Sequence, residues 1–191
     1  MAAPEGVDQL PGFAAELVGR RVSILVATGG EVAAQAAKLA TNIIPIVFTV
    51  GGDPVKLGLV ASLNRPGGNM TGVSILTSSL ASKRLEVLRE VVPKAESIGM
   101  LVKPGRPSAD EQIRDAREAA RTLGLRIHFL EANREGDLER AFATLVQMQM
   151  GALLVGADPF FNSRRDHIVA LAARHHIPAI YETREFARSG G

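Results

Sequence analysis

The sequence contains no cysteine and no tryptophan, and aromatic residues occupy only 4% of its 191 positions. Without thiols there are no disulfides, no thiolate metal sites and no cysteine nucleophile. The redox compartment stays open, because a cysteine-free chain suits either side of a membrane. So few aromatics supply a poor stacking platform for bases or sugars. An excess of one charge is also missing: 22 Lys and Arg stand against 20 Asp and Glu, so nucleic acid is not a favoured partner. No apolar run approaches the roughly 18–20 residues of a membrane span. The N-terminus, "MAAPEGVDQLPGFAAELVGRRV", lacks the basic start and apolar centre of a secretion signal. Either the protein is cytoplasmic or its signal lies outside this chain.

What the chain does have is 46% hydrophobic residues, enough to build a core. Short runs rich in Val and Ile alternate with helical patterns: "VSILVA" (22–27), "IPIVFTV" (44–50), "IGMLV" (98–102), "LRIHFL" (125–130), "ALLVGA" (152–157) and "IPAIYE" (177–182). Runs with little polar alternation suit parallel strands covered on both faces. The helices between them carry readable ends. Ser108 to Glu111 reads as a capping box with Gly124 at the stop, Asp137 as the cap of "LERAFATLVQMQ", and Asn162 as the cap of "SRRDHIVALAARHH". "LASKRLEVLREVVP" reads as an amphipathic helix. Alternating strands and helices predict a doubly wound, Rossmann-like α/β fold, because parallel neighbours need a crossover and helices usually provide it.

Two stretches follow one plan: 24–54, "ILVATGGEVAAQAAKLATNIIPIVFTVGGDP", and 153–186, "LLVGADPFFNSRRDHIVALAARHHIPAIYETREF". Each has a strand, a loop of small or acidic residues, a helix, an Ile-Pro and a second strand. This reads either as two similar lobes or as the ordinary likeness of any two βαβ units. Pro, Gly and Asn cluster in "NRPGGNMTGVSILTSS" (64–79), which is the expected joint.

In an open α/β sheet, ligands bind outside the carboxyl ends of the strands. "GGDP" (51–54) lies at such an end. Asp53 and Pro54 can be explained by helix initiation alone. In a ligand reading, Gly51 and Gly52 expose backbone and Asp53 takes an ammonium or hydroxyl donor. "ATGGE" (27–31) has the same character: Thr28 offers a hydroxyl, Gly29 and Gly30 open the backbone, and the helix start suits a carboxylate. "GADPFFN" (156–162) supplies Asp158, Phe160, Phe161 and Asn162, which suit either a small amphipathic ligand or the core. "YETRE" (181–185) brings Glu182 and Arg184 to a strand end or merely to the surface.

Catalysis is hard to assemble. His128 falls in a strand, His167 on a helix, and His175 and His176 at that helix's end, with none at metal-ligand spacing. Neither a phosphate loop, nor "GxGxxG", nor "GxSxG" is present, so no cofactor and no metal are expected.

With "PIVFTVGGDPVKLGLVASLNRPGGNMTGVS", "KRLEVLREVVP" and "GALLVGADPFFNSRRDHIVALAARHHIPAIYETREFARSGG" together, the chain from about Leu10 onward resembles the ABC-transporter substrate-binding family that includes tryptophan-binding-like proteins. The resemblance implies a type I periplasmic-binding-protein fold, with two α/β lobes, a hinge and a ligand in the cleft between them. It implies no catalysis, a cargo that is an amino acid or similar small organic solute, delivery to an ABC permease, and a periplasmic location. By motif position it carries over Thr28, Gly29, Gly30, Gly51, Gly52 and Asp53 from one lobe. From the other it carries over Ser108, Asp158, Phe160, Asn162 and Glu182. Thr28 and helix N-termini would bind a carboxylate, Asp53 or Asp158 an ammonium, and Phe160 an apolar side chain. Relatives have Asn-Ser where this chain has Pro107-Ser108, so only the serine transfers.

The family also implies a further strand-helix unit before Met1 and a return to the first lobe after "ARSGG". The expected division is therefore a partial first lobe (1–77), a second lobe (78–182) and the start of a crossover (183–191). A sheet cut in this way exposes edges, which predicts a homodimer. Two other readings stay open. One is the effector domain of a regulator, and the other is a small α/β enzyme using Asp53 and Asp158 in acid–base work.

Overall fold

A computed structural model of the chain describes residues 9–75 and 80–191. It divides into two compact units, Met1–Leu76 and Thr77–Gly191. The end of the expected joint, residues 76–79, and the start of the chain, residues 1–8, lie outside the described residues.

The first unit contains α1 (Leu10–Gly19), β1 (Leu25–Ala27), α2 (Glu31–Ala40), β2 (Ile46–Val50) and β3 (Met70–Ser74). Both β1 and β3 pair parallel with β2, giving the order β1-β2-β3. Side chains alternate across a strand. Leu25, Ala27, Ile46, Phe48, Val50 and Met70 accordingly face one way and pack with Ala34 and Ala37 of α2. On the strands' other face, Val26 and Val73 stay 64% and 61% exposed.

Strand β3 lies inside the stretch read as a joint, which corrects that reading. The turn residues stop at Asn69, whose Nδ2 donates to the carbonyls of Thr41 (3.2 Å) and Ile44 (2.8 Å) and anchors the strand that follows. "MTGVS" hides its strand character behind Gly72, since glycine is a poor strand former. The glycine is nonetheless required: a Cβ there would stand 2.2 Å from the Phe48 carbonyl oxygen and 2.6 Å from its ring.

"GGDP" starts a turn rather than the helix that the sequence predicts. Asp53 Oδ1 accepts N–H bonds from Val55 (2.8 Å) and Lys56 (3.3 Å), so the cap chemistry is present. Gly58, at φ +66°, then reverses the chain before a second helical turn can form.

The second unit contains α3 (Ala81–Val91), β4 (Ser97–Val102), α4 (Pro107–Leu123), β5 (Arg126–Glu131), α5 (Glu135–Gln147) and β6 (Ala152–Val155). These are followed by α6 (Pro159–Ser163), α7 (Arg165–Arg174), β7 (Ala179–Ile180) and α8 (Arg184–Arg188). Its strands are all parallel, in the order β5-β4-β6-β7. Because β4 and β6 are apolar on both faces, two cores form. Ile98, Met100, Val102, Ala152 and Leu154 pack with Leu85 and Leu88 of α3 and Ala116 and Ala120 of α4. Leu101, Leu153 and Val155 pack with Leu138, Phe142 and Leu145 of α5, Ile168 and Leu171 of α7, and Phe186 of α8. Each fully buried Leu or Phe contributes roughly 1.5–3 kcal/mol relative to its exposed state.

Three expected caps move. Arg106, extended at φ −130°, precedes α4, so Ser108 lies inside its first turn, while Gly124 ends the helix at φ +66° as expected. Asp137 is the third residue of α5 and reaches back to accept the N–H groups of Asn133 (2.9 Å) and Arg134 (3.1 Å). Asn162 lies within α6, which is capped by Asp158, and Arg164 interrupts the helix before α7. Asp137 serves the N–H groups before the helix from inside its first turn, so the sequence places this cap correctly to within a turn and no closer.

Replacing Gly72 with Ala forces β3 away from β2 at the Phe48 carbonyl. The expected cost is about 1–3 kcal/mol. Amide exchange should accelerate across residues 46–50 and 70–74 while β4 and β6 keep their protection; unchanged exchange in β2 would refute the close approach.

Candidate functional site

Parallel pairing places the loops after β1 and β2 side by side in the first unit. Gly30 precedes α2 at φ +80°, ψ −160°, a region essentially restricted to glycine. Thr28 and Gly29 are exposed, and the next residue, Glu31, is 6% exposed. A Cβ on Gly52 would stand 2.7 Å from Glu31 Oε1. The loop after β2 is therefore glycine where the chain's own carboxylate lies against it, at the positive end of α2. Ser74 Oγ donates to the Gly52 carbonyl (2.8 Å) and ties β3 to the same loop, and Asp53 is half-buried with its Oδ1 held by Val55 and Lys56.

In the second unit, β4, β6 and β7 end at one edge, and most of the expected residues meet there. Asp158, 6% exposed, has both oxygens engaged: Oδ1 accepts the Phe160 N–H (2.7 Å), and Oδ2 lies 3.0 Å from Arg106 Nη1. Burial raises the Asp158 pKa above the usual carboxylate value, and Arg106, the Phe160 N–H and Lys103 work against that rise. Lys103, which follows β4, is buried with its Nζ 4.2 Å from the Phe160 ring centroid and 3.4 Å from the Asn133 carbonyl. Burial lowers the Lys103 pKa, with Asp158 opposing the change and Arg106 reinforcing it.

Gln112 of α4 clasps the loop after β6. Its Oε1 accepts the Ala157 N–H (2.6 Å), and its Nε2 donates to the carbonyls of Ala157 (3.0 Å) and Ser108 (3.3 Å). Gln112, Lys103, Asp158 and Phe161 help to line a cavity of about 10 Å³. Asn162 Nδ2 is 3.5 Å from Glu182 Oε2, just past β7. From α3, Arg84 reaches the same edge and donates from Nη1 to the Val155 carbonyl (2.7 Å). Its burial lowers the guanidinium pKa, and the nearby Glu182 charge raises it.

The structure thus gathers Asp158, Phe160, Asn162 and Glu182 at one edge, with Ser108 in the first turn of α4. Thr28 to Gly30 and Gly51 to Asp53 gather in the other unit. Sequence reasoning missed Glu31, Arg84, Lys103, Arg106 and Gln112. Two of these had a legible signal. Arg84 occupies the apolar spacing Ala81, Arg84, Leu85, Leu88, where a charge stands out, and Lys103 directly follows a strand. Among the described residues no cluster of His, Asp and Glu is arranged to hold a metal ion, and no helix is long and apolar enough to cross a membrane.

The fold has counterparts among solved structures. A conserved domain protein from Vibrio cholerae superposes with a TM-score of 0.86 at 27% identity, covering 97% of this chain and 62% of that one. The ABC domain in complex with L-Trp from Streptococcus pneumonia superposes with a TM-score of 0.76 at 22% identity, covering 91% of this chain and 59% of that one. Two α/β lobes with parallel sheets are the type I periplasmic-binding-protein fold. In sequence, the chain is 31% identical over 157 residues to a tyrosine-binding protein of Clostridioides difficile (strain R20291), and spans 45% of that relative's length. The model of the ABC transporter substrate binding protein family matches residues 3–191. With that match across nearly its whole length, the chain belongs to the ABC transporter substrate binding protein family.

Proposed function

We propose that this chain is the solute-recognising part of an ABC importer's binding protein, which takes an amino acid or similarly small organic solute outside the inner membrane and presents it to a permease. The family is one of non-catalytic binding proteins. The observation that carries the reading is the second unit's edge, where a buried carboxylate, buried cations and an aromatic ring are held by loops at strand ends. Such a pre-formed group of polar side chains around an apolar one suits a small amphipathic molecule. The tyrosine-binding relative supports an amino-acid cargo. In this reading Phe160 contacts the solute's apolar part, and Asn162 and Glu182 its polar groups. Asp158 serves chiefly to hold Arg106 and the α6 start, since both of its oxygens are engaged.

A thermal-shift and calorimetric screen with L-tyrosine, L-tryptophan, other amino acids, sugars and nucleosides tests this. A true solute at about 100 times its Kd stabilises the fold by roughly 2.7 kcal/mol. Phe160→Ala should weaken that solute at least ten-fold with the fold intact. A panel without a single saturable binder would overturn the proposal.

The site's charges also give a pH signature. Because the Lys103 pKa is lowered in the fold, the unfolded chain binds more protons between that lowered value and the ordinary 10.5, and stability contributed by this group rises with pH across that window. Burial raises the Tyr181 pKa and acts in the opposite sense above 10, so the comparison is wild type against Lys103→Met, where Tyr181 cancels. The wild type should gain melting temperature relative to the variant as pH climbs towards 10.5; parallel curves would contradict it.

The proposal includes self-association through the first unit's sheet, whose outer strands β1 and β3 carry the exposed Val26 and Val73. Light scattering should show a mass that grows with concentration, and a strict monomer at high concentration counts against it.

A further inference from the structure

Three cationic side chains, Arg84, Lys103 and Arg106, share the carboxyl edge of the second unit's sheet with two carboxylates, Asp158 and Glu182. Most of these groups are visibly engaged. Asp158 is held by Arg106 and the Phe160 N–H, Lys103 lies on the Phe160 ring and near the Asn133 carbonyl, and Glu182 is within reach of Asn162. Arg84 differs. It is 9% exposed, only its Nη1 is bonded, to the Val155 carbonyl, and its Nε and Nη2 have no hydrogen-bond partner among the described residues.

Those two nitrogens form one side of the guanidinium fork. Their parallel N–H groups match the two oxygens of a carboxylate, an arrangement open to arginine and closed to lysine. A buried cation with two donors unmade is destabilising, because desolvation is incurred without the compensating bonds. The Val155 carbonyl places Nη1 at the end of β6, and the Glu182 charge, just past the neighbouring β7, acts on the same guanidinium. At the first unit's corresponding place, the N-terminus of α2, the chain's own Glu31 is already buried.

We infer that Arg84 receives the carboxylate of the bound solute through Nε and Nη2, so that the protein selects carboxylates and rejects their neutral amides. This rests on the proposed function and names the solute class for that same site.

The test compares wild type with Arg84→Gln, which removes the charge and the fork, and Arg84→Lys, which keeps the charge and removes the fork. Melting is measured in sodium benzoate against sodium chloride at matched ionic strength. Binding of L-tyrosine and L-tryptophan is measured against that of their amides. Wild type should be stabilised by benzoate and prefer each acid over its amide at least ten-fold. Arg84→Gln should lose the benzoate shift and the preference, and Arg84→Lys should weaken the acids at least ten-fold. If Arg84→Gln does not fold, the lysine variant decides the matter.

Equal affinity of wild type for acid and amide, an unaltered preference in the variants, or equal weakening of acid and amide would each overturn the inference. Binding of a sugar or nucleoside with no effect of any carboxylate would overturn it while leaving the solute-binding proposal standing. A benzoate shift lost in Arg84→Gln, with no saturable solute in the wider panel, would support the Arg84 site and remove the solute-binding proposal.

Discussion

Parallel pairing obliges all strands of a sheet to finish at the same edge, and in this protein almost everything of functional interest follows from that obligation. Consecutive parallel strands must be linked by crossovers, and in the second unit every crossover contains a helix, so each loop there delivers a helix start to the edge where the strands end. Lys103 arrives there from β4, Asp158 from β6 and Glu182 from β7. Arg84 joins them from α3 because its side chain follows the apolar stripe of that helix inward and finds a strand-end carbonyl. Residues distant in sequence meet without any one of them specifying the meeting.

The resulting edge is held together largely by charge. Burial disfavours the ionised forms of Arg84, Lys103 and Asp158, and each is stabilised in part by an opposite charge nearby. This mutual dependence makes the group stiff. Moving Arg106 would leave Asp158 buried without its partner, and moving Phe160 would remove both a cap bond and the ring beneath Lys103. Energy stored in this way fixes positions more than it raises overall stability.

Much of the architecture was legible beforehand. The apolar runs at 98–102 and 152–157 announced strands covered on both faces, because no alternation of polar residues interrupted them. Strand β3 was not legible, since Gly72 and the preceding Pro-Gly-Asn cluster look like a joint, and the reason for the glycine lies across the sheet in Phe48. The helix expected after "GGDP" failed for a similar reason: Asp53 does cap a turn, and Gly58 ends it. At the site, the residues found by rule were those in strand-end loops. Gln112 and Arg106 were missed because a mid-helix glutamine and a loop arginine have no pattern of their own. Their roles exist only through Ala157 and Asp158, more than forty positions away.

The Gln112 clasp carries a consequence for how a scaffold of this kind diversifies. Its amide meets both the N–H and the carbonyl of Ala157, as a neighbouring strand would, and binds the Ser108 carbonyl as well. Glutamate has the same length but no donor for the carbonyls, asparagine falls short by one methylene, and an apolar residue satisfies nothing. The spacing between α4 and the loop after β6 is thereby set by a single side chain. Under the proposed solute-binding role, a change of cargo that keeps this clasp leaves the loop after β6 in place and falls on side chains beyond it, in α6 and after β7.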